Sequence, residues 1–175
     1  MPNWCYNTIH IEGNNDDLAE LKTMMKGDGD FDFNKILPYP KKYANRDRDC
    51  QRYEELMARK QTKGLTQKDT KEAMIIKFKY DINGNAIVTD GYNSGGYEWC
   101  CNNWGTKWNA REASLDEGDR CLDYSFDTPW GAPMPVFLAL SNLFPNLTFD
   151  IHNTYEGSDE EKDIVLKDGR KVNGY

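Results

Sequence analysis

The sequence lacks any apolar run close to the roughly 18 residues that a membrane-crossing helix requires, so no helical span is expected. Met1-Pro2-Asn3-Trp4 carries neither the basic nor the apolar part of a secretion signal, and a cytoplasmic location is the expectation. There is no CxxC pair, and histidine is scarce, with only His10 and His152. A structural zinc finger is therefore not expected, and no metal or cofactor is called for. Five cysteines (Cys5, Cys50, Cys100, Cys101 and Cys121) are an odd number, Cys100 and Cys101 cannot easily bridge each other, and a reducing compartment keeps thiols free. Their expected role is that of small buried hydrophobes. A phosphate-binding glycine loop, a nucleophile elbow and an HExxH helix are all missing, which removes the commonest signatures of nucleotide hydrolysis, acyl transfer and zinc proteolysis.

What is present is a chain of 175 residues, 38% hydrophobic and 13% aromatic, too rich in rings to stay disordered and of a size for one domain with insertions. The net charge of −7 opposes long-range attraction to phosphate backbones. That charge is divided. Lys41 to Lys79 holds 12 basic and 6 acidic residues, a local +6, which leaves 10 against 23, or −13, for the remainder. Mixed signs within the basic stretch read first as a solvated helical pair, and the cluster Glu156, Asp159, Glu160, Glu161 and Asp163 as an exposed acidic loop.

Alternation from Asn3 to Glu12 predicts a strand, with Cys5, Asn7, Ile9 and Ile11 on one face and Trp4, Tyr6, Thr8 and His10 on the other. Leu18, Leu21, Met24 and Met25 fall at helical spacing between Asp16 and Lys26, before Gly27. A short extended segment is expected at 31–37, closed by Pro38-Tyr39-Pro40. Helices follow at 50–61 and 67–79, the second opened by Thr66 and Asp69 as a cap with an acidic partner. Asn83-Gly84 reads as a turn and Ile87-Val88-Thr89 as a brief strand. Tyr97, Cys100, Cys101 and Trp104 share a helical face closed by Gly105, with Trp99 and Asn103 on the neighbouring one. A hairpin is predicted from 108–115 and 120–128 around Asp116-Glu117-Gly118-Asp119, then a helix over 133–144, a strand over 147–156 and a last hairpin of 163–166 with 171–173 around Asp168-Gly169. Without the insertion at about 41–81 and the terminal hairpin, the order is strand, helix, strand, strand, helix, strand. It predicts an α+β, ferredoxin-like split β-α-β sandwich within a single domain over 1–175, one sheet face being left over.

Four segments carry a more specific likeness: Met1-Pro2-Asn3-Trp4-Cys5-Tyr6-Asn7, Phe31-Asp32-Phe33-Asn34-Lys35-Ile36, Trp99-Cys100-Cys101-Asn102-Asn103-Trp104-Gly105-Thr106-Lys107-Trp108-Asn109-Ala110, and Phe126-Asp127-Thr128-Pro129-Trp130. In this order they resemble the YubB-like family of phage- and plasmid-encoded proteins, which has a ferredoxin-like domain and no established general activity. The charged stretch between Pro40 and Asp81 departs from that pattern. The resemblance implies a small protein made by a mobile genetic element inside a bacterium, engaging host machinery, defence systems included, by binding.

Tyr92, Tyr97, Trp99, Trp104 and Trp108 lie within seventeen positions. Rings of this size serve either as core or as the lining of a pocket. Asn103 and Lys107 add polar groups that suit a planar, hydrogen-bonding ligand such as a nucleobase, and the same composition suits a protein hot spot. The binding candidates are thus Trp99, Asn103, Trp104, Lys107, Trp108 and Trp130, with Tyr6 and His10 on the outer face of the first strand. His10, His152 and Asp150 are the one grouping that can furnish an acid, a base or a partial metal site, and ordinary strand hydrogen bonds are expected of them instead. The expected function is a non-enzymatic binding protein that engages a host protein. The alternative is a nucleotide or single-stranded nucleic-acid binder using the ring-and-asparagine region.

Overall fold

The computed structural model describes residues 3–80 and 88–172. In chain order its elements are β1 (Trp4–Glu12), α1 (Asn15–Met25), α2 (Lys41–Thr62), α3 (Gln67–Tyr80), α4 (Gly96–Asn103), β2 (Arg111–Gly118), β3 (Cys121–Pro129), α5 (Met134–Leu143), β4 (Thr148–Tyr155), β5 (Glu161–Lys167) and β6 (Arg170–Val172). The six strands form one sheet in the order β2-β3-β1-β4-β5-β6, every neighbouring pair antiparallel, so the fold is of the α+β class. The chain divides into two compact units, one made of 1–38 and 98–175, the other of 39–97.

In the first unit the period-2 alternation of β1 does what it predicts: Cys5, Asn7, Ile9 and Ile11 are buried, and they lie beside Leu122, Tyr124, Phe126 and Thr128 of β3 and Phe149, Ile151 and Asn153 of β4. Burial of each large apolar side chain here contributes about 1.5–3 kcal/mol. Leu18, Leu21 and Met25 are the buried face of α1, which starts one residue earlier than expected because the Asn14 side chain accepts from the Asp17 N–H at 2.9 Å. Val136, Phe137 and Leu140 are the buried face of α5, and the Phe137 ring meets Phe126 at 6.2 Å. The two helices therefore serve the same side of the sheet, and the other side stays open.

Three local expectations need correction. Residues 33–35 form a single 3₁₀ turn rather than an extended segment, since the Asp32 carboxylate accepts the Asn34 N–H and Asn109 accepts the Phe33 N–H. The β2–β3 turn lies at Asp119-Arg120 instead of 116–119, and Asp116 and Glu117 remain in the strand. The stretch read as an acidic loop contributes Glu161 and Asp163 to β5. The last hairpin turns at Asp168-Gly169, both with positive φ, the geometry of a primed two-residue turn. It lengthens the sheet instead of covering the open face. Asn173, Asn83-Gly84 and Ile87 lie outside the described residues, and Val88-Thr89 has no regular structure.

The second unit is an antiparallel helical hairpin of α2 and α3. Helix α2 begins nine residues before the expected start, directly after Pro40, a residue whose fixed φ suits a helix entrance. Thr66 and Asp69 cap α3 reciprocally as expected: the Asp69 N–H donates to Thr66 Oγ1 at 3.1 Å and the Thr66 N–H to Asp69 Oδ2 at 3.2 Å. Arg52 grips Glu72 through two nitrogens at 2.9 and 3.1 Å, Arg59 meets Asp69 at 3.3 Å, and Lys79 meets Asp49 at 2.7 Å. The three carboxylates paired here are already counted in the local +6, so the hairpin keeps that excess of basic groups. No helix among the described residues is long and apolar enough to cross a membrane.

Candidate functional site

The predicted ring cluster separates into an inner and an outer part. Trp104 is 4% exposed, with its ring 5.7 Å from Phe33 and 5.5 Å from Trp99, and its Nε1–H donates to the Leu37 carbonyl at 2.8 Å. It is a core residue with its polar handle satisfied. Trp99 is half-buried against it, and Asn103 donates its amide to the Trp99 carbonyl at 2.8 Å, closing the last turn of α4. Gly105, at φ +79°, ends that helix where a side chain could not follow. Asn109 holds Asp32 and the Phe33 N–H. These groups build the fold.

The outer part is a surface. Trp130 is 56% and Trp108 43% exposed, and Lys107 Nζ sits over both rings, 3.9 Å from the Trp130 centroid and 4.1 Å from that of Trp108. Trp4 continues the row, 6.3 Å from Trp108 and tilted by 44°, and the Arg111 guanidinium lies 4.8 Å over its ring. From Trp130 to Arg111 the row thus runs ring, cation, ring, ring, cation, each exposed cation–ring contact contributing about 0.5–1 kcal/mol. Two strand pairings fix this order: Trp4 and Tyr6 of β1 pair with Pro129 and Asp127 of β3, and Arg111 of β2 also pairs with Asp127. Tyr6, 44% exposed, extends the aromatic surface onto the open sheet face. Burial and the Glu112 carboxylate push the Asp127 carboxyl above its ordinary range, Arg111 opposing them.

Trp130 has a further property. Its φ of +70° is left-handed, a region that bulky side chains rarely adopt and that costs about 1–3 kcal/mol. The conformation is held by its own N–H, which donates to the Asn3 carbonyl at 2.8 Å, and by Thr128 Oγ1, which donates to the Gly131 carbonyl at 2.9 Å. An exposed indole is thus fixed outward at the end of β3.

Farther along the open face, the grouping of His10, His152 and Asp150 does not form a site. His10 lies opposite Asp150 on one side but bonds Asp123 on the other, Nδ1 to Oδ1 at 2.7 Å. His152 lies opposite Thr8 and bonds Asp163 at 2.7 Å. That carboxylate raises the pKa of His152 above the ordinary imidazole value. Cys5, Cys50 and Cys100 are buried as expected, and burial pushes the thiols of Cys5 and Cys50 up. Cys101 and Cys121 depart from the expectation: both are half-buried, Cys121 on the open face, two residues from Asp123.

Sequence reasoning missed Trp4 and Arg111 as parts of the ring row, because only the pairing of β1 and β2 with β3 brings Trp4 to Trp108 and Arg111. The strip Met74, Ile75 and Phe78 on α3 was also missed; all three are exposed, Phe78 by 80%. Their crowding within five residues of a charged helix was the available signal.

In fold, the chain is similar to protein api92 from Yersinia pseudotuberculosis, whose crystal structure is assigned to the family-model DUF1281, with a TM-score of 0.61 at 9% identity, covering 98% of this chain and 96% of that one. At that identity the likeness speaks for the fold alone. No family model matches the sequence. No curated protein matches it either.

Proposed function

We propose that the chain is a non-enzymatic binding protein that engages a partner protein through the row Trp130, Lys107, Trp108, Trp4 and Arg111. The observation that carries this is Trp130 itself, an exposed indole kept in a costly backbone conformation by two hydrogen bonds, beside a second exposed indole. Backbone strain of this kind concentrates at functional positions, and Trp and Arg anchors dominate the energetics of protein interfaces.

The strand order β2-β3-β1-β4, with α1 and α5 serving one face, supports a ferredoxin-like reading of the first unit. The resemblance to the YubB-like family supports the remainder: a product of a mobile genetic element, acting in the bacterial cytoplasm on a host protein or defence complex. A nucleotide or single-stranded nucleic acid is the weaker occupant. Lys107 already covers one face of Trp108 and one of Trp130, and the open sheet face carries Asp116, Asp123, Asp127, Asp150 and Asp163, which repel a phosphate backbone.

The test is affinity capture from bacterial lysate with the full chain, with and without nuclease, comparing the native protein with the pair Trp108→Ala/Trp130→Ala and with Phe78→Ala. A protein retained by the native chain in a nuclease-resistant manner, lost from the Trp pair and kept by Phe78→Ala, is the expected result. Loss on nuclease treatment favours the nucleic-acid reading, and loss from Phe78→Ala alone moves the contact surface to α3. Either result overturns the proposal.

A further inference from the structure

We propose that His10, Cys121 and Asp123 form a binding site for a zinc-class divalent cation on the open face of the sheet. One donor atom from each lies within 4.8 Å of the others. The register explains the convergence: His10 and Asp123 are direct partners across β1 and β3, and Cys121 precedes Asp123 by two residues, so all three project from the same face. His10 and Asp123 are each 43% exposed, and Cys121 is half-buried, so the donors are open to a cation from solvent.

The donor set is imidazole nitrogen, thiolate sulfur and carboxylate oxygen, the three ligand types that zinc accepts together. At ordinary zinc bond lengths, the edges of a tetrahedron with these donors are about 3.4–3.6 Å. The His10–Asp123 pair, at 2.7 Å, opens by less than about 1 Å to meet that geometry, and the wider separations close by about 1 Å, within the reach of side-chain rotation. Thiolate and carboxylate together neutralise the dication. Glu12 stands opposite Cys121, Asp116 opposite Asp123 and Asp150 opposite His10, so further carboxylates on the same face favour a cation over an anion. The cluster borders an open groove of about 540 Å³ lined by His10, Glu12, Cys121, Arg120, Thr148 and Lys167, which leaves space for water or a small anion on the remaining coordination position. The site lies apart from the proposed partner surface, and its test is independent of it.

Cobalt(II) is the probe, titrated into the full, chelator-treated chain under a phosphine reductant. One equivalent should bring up the visible bands of four-coordinate cobalt together with a thiolate-to-cobalt charge-transfer band, and zinc should abolish both. Cys121→Ser should remove the charge-transfer band. His10→Gln and Asp123→Asn should each weaken zinc binding about tenfold or more, whereas Cys101→Ser and His152→Gln should leave it unchanged. A native chain with no thiolate band at one equivalent overturns the proposal, as does a band that survives Cys121→Ser or disappears with Cys101→Ser. A second measurement needs no variant: stoichiometric zinc should slow iodoacetamide alkylation of Cys121, read by peptide mapping, without protecting the equally half-buried Cys101. Equal rates for Cys121 with and without zinc refute the site.

Discussion

Replacing Asn7 by alanine should destabilise the first unit far more than the loss of one side chain on a strand ordinarily does. Asn7 is 1% exposed, and its amide nitrogen shares two hydrogens among the Cys5 carbonyl at 3.0 Å, the Phe126 carbonyl at 3.1 Å and Thr128 Oγ1 at 2.9 Å. Its oxygen accepts from the Asn153 amide at 2.9 Å. Asn153 is equally buried, and its own oxygen has no hydrogen-bond partner among the described residues. Asn7→Ala therefore leaves the whole Asn153 amide stranded. One stranded buried polar group costs about 1–3 kcal/mol, and the small void adds to it, for a total of about 2–4 kcal/mol. Asn153→Ala should cost about 1–2 kcal/mol, because Asn7 keeps its three donor contacts. In the double variant the stranded amide is gone, so its loss should fall short of the summed single losses by about 1–2 kcal/mol. Tryptophan fluorescence in urea is the assay of choice, because Trp4, Trp99, Trp104, Trp108 and Trp130 all belong to the first unit and report its unfolding alone. With a slope of about 2 kcal/mol/M, a loss of 3 kcal/mol moves the midpoint by about 1.5 M. Additivity of the two substitutions within about 0.5 kcal/mol would refute the reasoning, since it means that the two amides do not depend on each other.

Two further substitutions test the chemistry of buried and exposed groups. The Tyr124 hydroxyl is fully buried with no hydrogen-bond partner among the described residues, and burial lifts its ionisation well above the ordinary phenol range. Tyr124→Phe should therefore be neutral or stabilise by about 1 kcal/mol in the same urea assay, and a loss above about 1 kcal/mol would show that the hydroxyl is satisfied. His152 should titrate above the ordinary imidazole value of 6.5 in proton NMR, and Asp163→Asn should bring it back down. A raised folded pKa means that the pair's contribution is complete below the unfolded value and disappears as pH rises through the folded one. For a pair this exposed it amounts to less than about 1 kcal/mol, so the NMR midpoint is the better reading than the melting temperature.

Much of the secondary structure was legible along the chain because its causes are local. The two-residue period of β1, the reciprocal cap of Thr66 and Asp69 and the Asp168-Gly169 turn each act within a few residues, and each appears where its pattern put it. Errors arose where a distant side chain decides a local conformation. Asn109, far along the chain, holds the Phe33 N–H and helps to turn a segment that reads as extended. The candidate site was legible in type and less so in membership. The sequence marks a region rich in rings, asparagine and lysine, but Trp104 and Trp108 look alike within it, and helical spacing cannot tell which indole reaches the Leu37 carbonyl and which meets solvent.

The sequence by itself determined the α+β content, the buried face of β1, the charged helical insertion and the scarcity of conventional catalytic signatures, because period, capping and composition are properties of neighbouring residues. Tertiary structure alone decided what faces what. Strand register set Trp4 beside Trp108 and Arg111, and it carried His10 to Cys121 and Asp123, more than a hundred positions away. Pairing the terminal hairpin at the sheet edge also left that face open. The physical reason is the same in each case: a register shift of one residue turns every side chain of a strand to the opposite face, and no local pattern records which partner sets that register.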